Sequence, residues 1–274
     1  MTAAARAWLN NLNSLYTPTS TEFDAARKHR HALETRLDVF LGLHEMFEIG
    51  SMKHGTGVWQ YSDADFLASL KGARPSSPWT MLNKVKEALQ GRYPLTSIVV
   101  RRPAIVCRFS DGDVEVVPAY EANSGYWISD PAGEWMRTFP KDHNKYVTEV
   151  NKKHDGAAKK LARQLKVWKY KRSVPVSSCY LEMRAAKHMD GEQSYSPLWD
   201  LYLTLRNMQI ADLASMNDPT GLSTRFGACS SESSRQDALS KLSTAFGRAL
   251  KAKDYEQEGK DSLAINQLEL LFNQ

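Results

Sequence analysis

The sequence of 274 residues is poor in cysteine and has no long apolar run. Its three cysteines, Cys107, Cys179 and Cys229, lie far apart and form no Cys-x-x-Cys pair, which argues against a disulfide framework and against a zinc site. No stretch has the length and hydrophobicity of a transmembrane helix or of a secretory signal. The sequence also lacks internal repeats and low-complexity tracts. These absences predict a cytoplasmic protein that does not associate with membranes.

The composition is that of an ordinary globular protein, with 42% hydrophobic and 24% charged residues. The formal net charge of +5 suits anionic ligands such as nucleotides, but it is too small to indicate binding to DNA or RNA. A lysine-rich region supplies a candidate nucleic-acid surface, and its members are Lys152, Lys153, Lys159, Lys160, Arg163 and Lys169. A solvated lysine-rich face with only Lys166 turned inward explains this region better, so activation by nucleic acid is not predicted.

The order of the predicted elements favours an α+β fold. The first 120 or so residues mix strands and helices, and the last 130 or so are almost wholly helical. We predict one long helix from about residue 20 to Phe47, a loop-like region from 120 to 145, and a helical pattern from Lys141 to about Tyr170. The expected domains are a mixed lobe of residues 1–140 and a helical lobe of residues 141–274, with a ligand cleft between them.

The stretch from Gly50 to Asp65 has the residue types of a phosphate and metal site. Asp63 and Asp65 are two residues apart, so on a β-strand both carboxylates point to the same face. Two like charges at that distance repel each other unless a cation lies between them, and Mg²⁺ is the usual cation for carboxylate oxygens. Gly50-Ser51 and Gly55-Thr56 offer backbone N–H groups and hydroxyls that suit a triphosphate.

Glu115 is a charged residue in the middle of a valine-rich strand. The preceding strand, Ala104 to Phe109, is joined to it by the turn Ser110 to Asp113, so the two strands form a hairpin. On an edge strand Glu115 would simply face water. Beside the strand of Asp65, it would become the third carboxylate of a metal-binding cluster.

Several motifs together resemble a known superfamily, and the likeness extends from about residue 20 to 255. The motifs are Gly50-Ser51 with Gly55-Thr56, Asp63-Ala-Asp65, Glu115-Val-Val-Pro118, Leu165-Lys-Val-Trp-Lys169, Ser178-Cys-Tyr-Leu-Glu182 and Asn217-Asp-Pro-Thr-Gly221. This set resembles the DNA polymerase β nucleotidyltransferase superfamily. Within it, the chain is most similar to the bacterial CD-NTases, the cyclic GMP-AMP synthase/DncV-like nucleotidyltransferases of CBASS anti-phage defence.

The resemblance implies a polymerase β-like nucleotidyltransferase lobe with a central mixed sheet, packed on an oligoadenylate synthetase-like helical lobe. It implies that Asp63, Asp65 and Glu115 are catalytic and together hold two Mg²⁺ ions, with Mn²⁺ as an alternative. It also implies nucleotide-binding roles for a larger set of residues, namely Gly50, Ser51, Thr56, Asp63, Lys166 and Ser178.

Two positions depart from the family pattern. The third acid is commonly Asp, and Glu115 adds one methylene there, although the enzyme is still expected to be active. Cys179 occupies a position where relatives often have an aromatic residue that stacks on a base. Tyr180 or Tyr61 is expected to take that role.

The implied function is the Mg²⁺-dependent joining of NTPs into a cyclic di- or trinucleotide second messenger for anti-phage signalling, with release of pyrophosphate. ATP is an expected substrate, and a separate cyclic-nucleotide effector and regulatory proteins from the same operon are the expected partners of a monomeric enzyme. One alternative is the transfer of NMP to a protein, a tRNA or a small molecule. Another is an inactive nucleotide or RNA sensor with the same fold.

Overall fold

A computed structural model describes residues 3–61, 63–223 and 225–274, and the chain forms two compact units. The sheet unit comprises Pro18–Gly55 and Ser62–Asn144. The helical unit comprises Met1–Thr17, Thr56–Tyr61 and Lys145–Gln274. The short segment Thr56–Tyr61 therefore belongs to the helical unit, although it lies within the Gly50–Asp65 stretch.

The described residues of the sheet unit contain a seven-stranded mixed sheet. Its strands are β1 (Leu43–Ile49), β2 (Ala64–Leu70), β3 (Ser97–Arg101), β4 (Ala104–Phe109), β5 (Gly112–Glu121), β6 (Tyr126–Ser129) and β7 (Trp135–Thr138). The main path runs β1-β2-β5-β4-β3, and β6 and β7 continue from the end of β5. Among the described strands of this sheet, only β2 and β5 pair in parallel, so these two strands begin at the same end of the sheet.

Three helices accompany the sheet: α2 (Ser20–Leu41), α3 (Gly50–His54) and α4 (Pro78–Arg92). Residues of α2 and α4 form the larger hydrophobic core with one face of the sheet, to which Phe66 of β2 and Val116 of β5 contribute. Leu67 and Val117 point to the opposite face and belong to a smaller core cluster. Because side chains alternate along a strand, Asp65 and Glu115 share this second face, away from α2 and α4.

The helical unit consists mainly of six helices in its described part, α1 (Ala3–Leu15), α6 (Ala157–Lys171), α7 (Ser178–Gly191), α8 (Pro197–Ile210), α9 (Glu232–Gln257) and α10 (Asp261–Phe272). The unit boundary falls within α5 (Pro140–Lys153), and the two-residue strands β8 (Met216–Asn217) and β9 (Arg225–Phe226) pair with each other. Trp168 and Tyr180 are the largest fully buried side chains of this core. The prediction of an α+β fold with a mixed sheet and a helical C-terminal region is confirmed. No helix in the described ranges is long and apolar enough to cross a bilayer.

The predicted helix from about residue 20 to Phe47 is wrong beyond Leu41. Gly42 has a φ of 72° and its N–H donates to the Asp38 carbonyl at 2.9 Å, which ends α2. The Asp38 carboxylate accepts the next N–H, that of Leu43, at 2.9 Å. The chain then enters β1 and pairs antiparallel with β2. A left-handed glycine at this position is a common helix terminator.

The region from 120 to 145 is also not a loop throughout. It contains the β6–β7 hairpin and the start of α5, because its glycines occupy turns that join short strands. Gly125, for example, has a φ of 71°. The helical pattern from Lys141 to Tyr170 is divided into α5 and α6, since Asp155 and Gly156 both adopt positive φ angles and interrupt the helix.

Candidate active site

Asp65 and Glu115 are direct neighbours across the parallel pair β2–β5. Neighbouring strands lie about 4.8 Å apart, so both carboxylates project from the same face at the beginning of their strands. Glu115 is therefore not on an edge strand, which was the alternative that the sequence left open. Asp63 precedes β2 by one residue. The strand pairing brings Glu115 beside the Asp-x-Asp motif.

Gly50 lies against the Asp65 side chain. It follows β1, whose last residue Ile49 pairs with Asp65, and it has a φ of 63°. A Cβ atom built on Gly50 would lie 2.8 Å from the Asp65 Cγ, closer than real Cβ contacts allow. Only glycine combines this backbone conformation with this approach. Ser51 follows at the first turn of α3, so the structure brings Gly50 and Ser51 to the acidic residues.

A basic residue that the sequence reasoning did not select lies at the same place. Arg101, the last residue of β3, donates to the Asp63 Oδ2 at 3.3 Å and also contacts the Glu115 carboxylate. The positive charge expected between the acids is thus supplied by a side chain in this structure. Arg101 lies two strands away from Glu115, so its position depends on the β5–β4 pairing and on the β4–β3 pairing together.

Mg²⁺ prefers oxygen ligands, and Asp63, Asp65 and Glu115 supply three carboxylates. The residues present therefore fit a magnesium site. Asp63 and Glu115 already hold a cationic group between them, which shows that the local charge favours a cation.

A different trio is the only group of His, Cys, Asp or Glu residues in the described part whose ligand atoms all lie within 4.8 Å of one another. It consists of His188, Glu192 and Asp200. The Asp200 carboxylate accepts the Ser196 N–H at 2.6 Å and lies 2.9 Å from the His188 Nε2. Contacts within the protein therefore account for the Asp200 carboxylate, which lies at the start of α8.

Thr56 and Lys166 form a buried network in the helical unit. The Lys166 Nζ lies 2.8 Å from the Glu182 Oε1, and the Thr56 hydroxyl donates to the same oxygen at 2.6 Å. Lys166 and Glu182 are 0% and 3% exposed, so each buried charge has its partner. The structure uses the polar groups of Thr56 and Lys166 inside the protein and does not present them to a ligand.

The segment Thr56–Tyr61 is held to the helical unit by several further contacts. The buried Arg163 guanidinium donates to the Gly57 carbonyl at 2.9 Å, and the Trp59 N–H donates to the Tyr16 carbonyl at 2.9 Å. Burial lowers the pKa of Arg163. These contacts fix the position of Tyr61 at the end of the segment.

Ser178 begins α7 and lies beside a different lysine from the one predicted. The Lys169 Nζ donates to the Ser178 hydroxyl at 2.7 Å, and the Tyr170 hydroxyl lies 3.3 Å from the same oxygen. Lys166 and Lys169 are three residues apart on α6, yet only Lys169 reaches Ser178. The expectation that Lys166 turns inward is confirmed by its full burial.

The expectation that Tyr180 stacks on a base is wrong. Its ring is fully buried, and its hydroxyl donates to the Ala214 carbonyl at 3.1 Å. Tyr61 is 38% exposed and stacks on Tyr170 with a ring separation of 4.8 Å and an interplanar angle of 11°. Tyr61 therefore remains available as an aromatic surface, and Tyr170 extends it.

Comparison with known proteins places these features in a family. The model of the Second Messenger Oligonucleotide or Dinucleotide Synthetase domain (SMODS) matches residues 4–151, more than half of the chain. Among curated proteins, the chain is 29% identical to a cyclic AMP-AMP-AMP synthase of Acinetobacter sp. over 210 residues. The match covers 70% of this chain and 61% of that relative, so the chain spans less than two thirds of the relative's length.

Two solved structures are similar in fold over nearly the whole chain. The E. coli CdnC in its complex with HORMA-deltaN has a TM-score of 0.75 at 16% identity, covering 98% of this chain and 96% of that one. The Bradyrhizobium diazoefficiens CD-NTase CdnG in complex with GTP has a TM-score of 0.73 at 14% identity, covering 98% of both chains. With the family match over residues 4–151, the fold and the acidic residues of β2 and β5 identify this chain as a member of the SMODS family, the CD-NTases.

Proposed function

We propose that the protein is a Mg²⁺-dependent nucleotidyltransferase that joins NTPs into a cyclic di- or trinucleotide and releases pyrophosphate. The observation that carries this proposal is the direct pairing of Asp65 and Glu115 on adjacent parallel strands, with Gly50 packed against Asp65. In such a reaction an acceptor hydroxyl attacks the α-phosphate of an NTP. The arrangement supports it because the gathered carboxylates could hold the divalent ions that this chemistry uses.

Asp63, Asp65 and Glu115 are the residues that would hold two Mg²⁺ ions, with Mn²⁺ as a substitute. When bound, these ions lower the pKa of the attacking hydroxyl and stabilise the leaving oxygens. The strand register fixes the backbone positions of Asp65 and Glu115 and so sets both side chains on one face of the sheet. The side chain of Glu115 is one methylene longer than an aspartate and can reach beyond its own strand.

Separate residues would bind the nucleotide. In the sheet unit, Gly50 and Ser51 offer the backbone N–H groups of the turn into α3 to the triphosphate. In the helical unit, Ser178 and Lys169 form a hydroxyl and ammonium pair suited to a phosphate oxygen. Tyr61, stacked on Tyr170, offers an aromatic face to a base. Lys166 and Thr56 could bind the nucleotide only if their contacts with the Glu182 carboxylate were broken.

The products and partners of the relatives suggest the biological role. The name of the Acinetobacter relative supports ATP as a substrate and a cyclic trinucleotide as a product. The complex of CdnC with HORMA-deltaN supports a regulatory protein as partner. We propose that the chain acts in the cytoplasm as the synthase of a CBASS anti-phage system, and that its product activates a separate effector.

Product analysis tests this proposal. The purified protein is incubated with all four NTPs and Mg²⁺ or Mn²⁺, and the products are identified by mass spectrometry after phosphatase treatment. A phosphatase-resistant small product with the mass of a cyclic oligonucleotide is expected. Linear products, or an NMP attached to an added acceptor, would point to the alternative transferase activity. No NTP consumption under any condition would contradict the proposal.

A further inference from the structure

The contact of Arg101 with two of the three acids has a consequence for metal binding. Its guanidinium lies 3.3 Å from the Asp63 Oδ2 and contacts the Glu115 carboxylate. The Glu115 side chain is only 14% exposed, whereas Asp63 is 38% and Arg101 is 59% exposed. Glu115 is therefore better shielded from solvent than Asp63, and the Arg101 guanidinium reaches it from the solvent side.

The sheet register explains why Arg101 reaches this position. Glu115 pairs with Val106 of β4, and Val106 pairs with Val99 of β3. Arg101 follows Val99 by two residues and so projects from the same face of the sheet as Glu115. The long arginine side chain then extends back along that face to the acids. The backbone pairing therefore places Arg101 on the face of the sheet from which its side chain can reach the acids.

A guanidinium and a metal ion compete for the same carboxylate oxygens. Arginine carries one positive charge and binds carboxylates through N–H groups that are directed at the lone pairs which a metal would use. A divalent ion attracts the acids more strongly, but it must first displace the arginine. Because Arg101 is largely exposed, its release into water costs little.

We propose that Arg101 is a tethered competitor for the catalytic metal site. In the absence of nucleotide it neutralises Asp63 and Glu115, and it leaves them when the divalent ion binds. It thereby raises the metal concentration that the enzyme requires. This inference rests on the proposed function, because it takes Asp63, Asp65 and Glu115 as the metal ligands.

Binding of Mn²⁺ without nucleotide tests the competition directly. Free and bound Mn²⁺ are measured by electron paramagnetic resonance for the wild type and for Arg101→Ala. We expect Arg101→Ala to bind Mn²⁺ about two- to fivefold more tightly, the range that loss of an exposed ion pair supports. Arg101→Gln, which keeps hydrogen-bonding groups without the charge, should behave in the same way. Circular dichroism melts show whether each variant is folded.

Arg102→Ala is the matched control, because it removes the same charge from the exposed neighbouring residue. Its Mn²⁺ affinity should stay within the error of the wild type. Unchanged or weaker Mn²⁺ binding by both Arg101 variants, or equal tightening by Arg102→Ala, would overturn the competition.

Glu115→Gln should weaken Mn²⁺ binding. If it does while the Arg101 variants bind like the wild type, only this inference fails. If no variant binds Mn²⁺, the metal role in the proposed function fails with it.

Discussion

At the scale of single residues, Gly50 decides where the Asp65 carboxylate can lie. Its φ of 63° and its approach to the Asp65 Cγ both exclude a side chain. A left-handed backbone alone costs a non-glycine residue about 1–2 kcal/mol, and we predict that Gly50→Ala lowers the free energy of unfolding by more than this. Because the new methyl group displaces the carboxylate, turnover should fall by about a hundredfold or more.

Gly72→Ala provides the control for this prediction. Gly72 has a φ of 88°, but a Cβ atom there would have no neighbour within 4 Å. The Gly72→Ala variant should lose the free energy of unfolding that a left-handed backbone costs, as measured by urea denaturation, and should keep wild-type turnover. Equal losses of activity in both variants would mean that the packing of Gly50 on Asp65 is unimportant.

The cysteines differ in environment in a way that chemical labelling can measure. Cys107 is fully buried in β4, and burial raises the pKa of its thiol to about 12. Cys179 is exposed at the start of α7. Since the thiolate is the reactive form, we predict that iodoacetamide labels Cys179 in the native protein at pH 8 and leaves Cys107 unmodified.

Mass spectrometry of tryptic peptides checks the labelling. At about pH 9.5 the pKa of Cys107 is still not reached, so Cys107 should remain unmodified there as well. Labelling in urea, where all cysteines are accessible, is the control. Rapid labelling of Cys107 in the folded protein would contradict its placement in the core.

Much of the candidate site was accessible from the sequence at this scale. Glu115 stood out because a charge in a valine-rich strand needs an explanation, and the strand pairing places it beside Asp65. Arg101 was missed because its position depends on the registers of β3, β4 and β5 together. Lys166 was correctly expected to turn inward, but Arg163 was expected on the solvated face of α6 and is buried, because the rotation of a helix depends on its packing.

At the scale of secondary structure elements, a buried ion pair links α6, α7 and the segment Thr56–Tyr61. Lys166→Met leaves the Glu182 carboxylate buried without its ammonium partner. We predict a loss of about 3–5 kcal/mol in the free energy of unfolding, measured by urea denaturation. The double variant Lys166→Met/Glu182→Leu removes both charges and should recover most of this loss.

Lys169→Met is the matched control on the same helix. Its ammonium is partly buried and bonded to Ser178, so its removal should cost less than about 1 kcal/mol. We expect it instead to raise the KM for NTP, because Lys169 and Ser178 are proposed to bind phosphate. A Lys166→Met variant as stable as Lys169→Met would show that the buried pair contributes little.

The periodicity of apolar residues predicted helices and strands well where one face of a segment is buried along its whole length. The hairpin of β4 and β5 and helices such as α7 were expected from their patterns and turn residues. The boundary between α2 and β1 was not, because the apolar residues around Phe47 fit a helix as well as a strand. Gly42 ends the helix there. Short strands such as β6 are stabilised by pairing with neighbours, which no local pattern reveals.

At the scale of the whole molecule, folding and metal binding should be separable. The sheet and helical units each have a large hydrophobic core, so we expect neither unit to need a metal ion in order to fold. We predict that excess EDTA abolishes NTP turnover and that Mg²⁺ or Mn²⁺ restores it. The far-UV circular dichroism spectrum should stay unchanged throughout. Loss of helical signal with EDTA would indicate a structural metal instead.

The most direct measurement is pyrophosphate release from NTPs by the wild type, Asp65→Asn and Glu115→Gln at saturating Mg²⁺. Both substitutions keep the shape of the side chain and remove the charge that the paired strands β2 and β5 bring together. We predict steady release by the wild type and a loss of at least about a thousandfold in either variant, with unchanged melting behaviour. Comparable pyrophosphate release by wild type and both variants would contradict the assignment of this site as the catalytic centre.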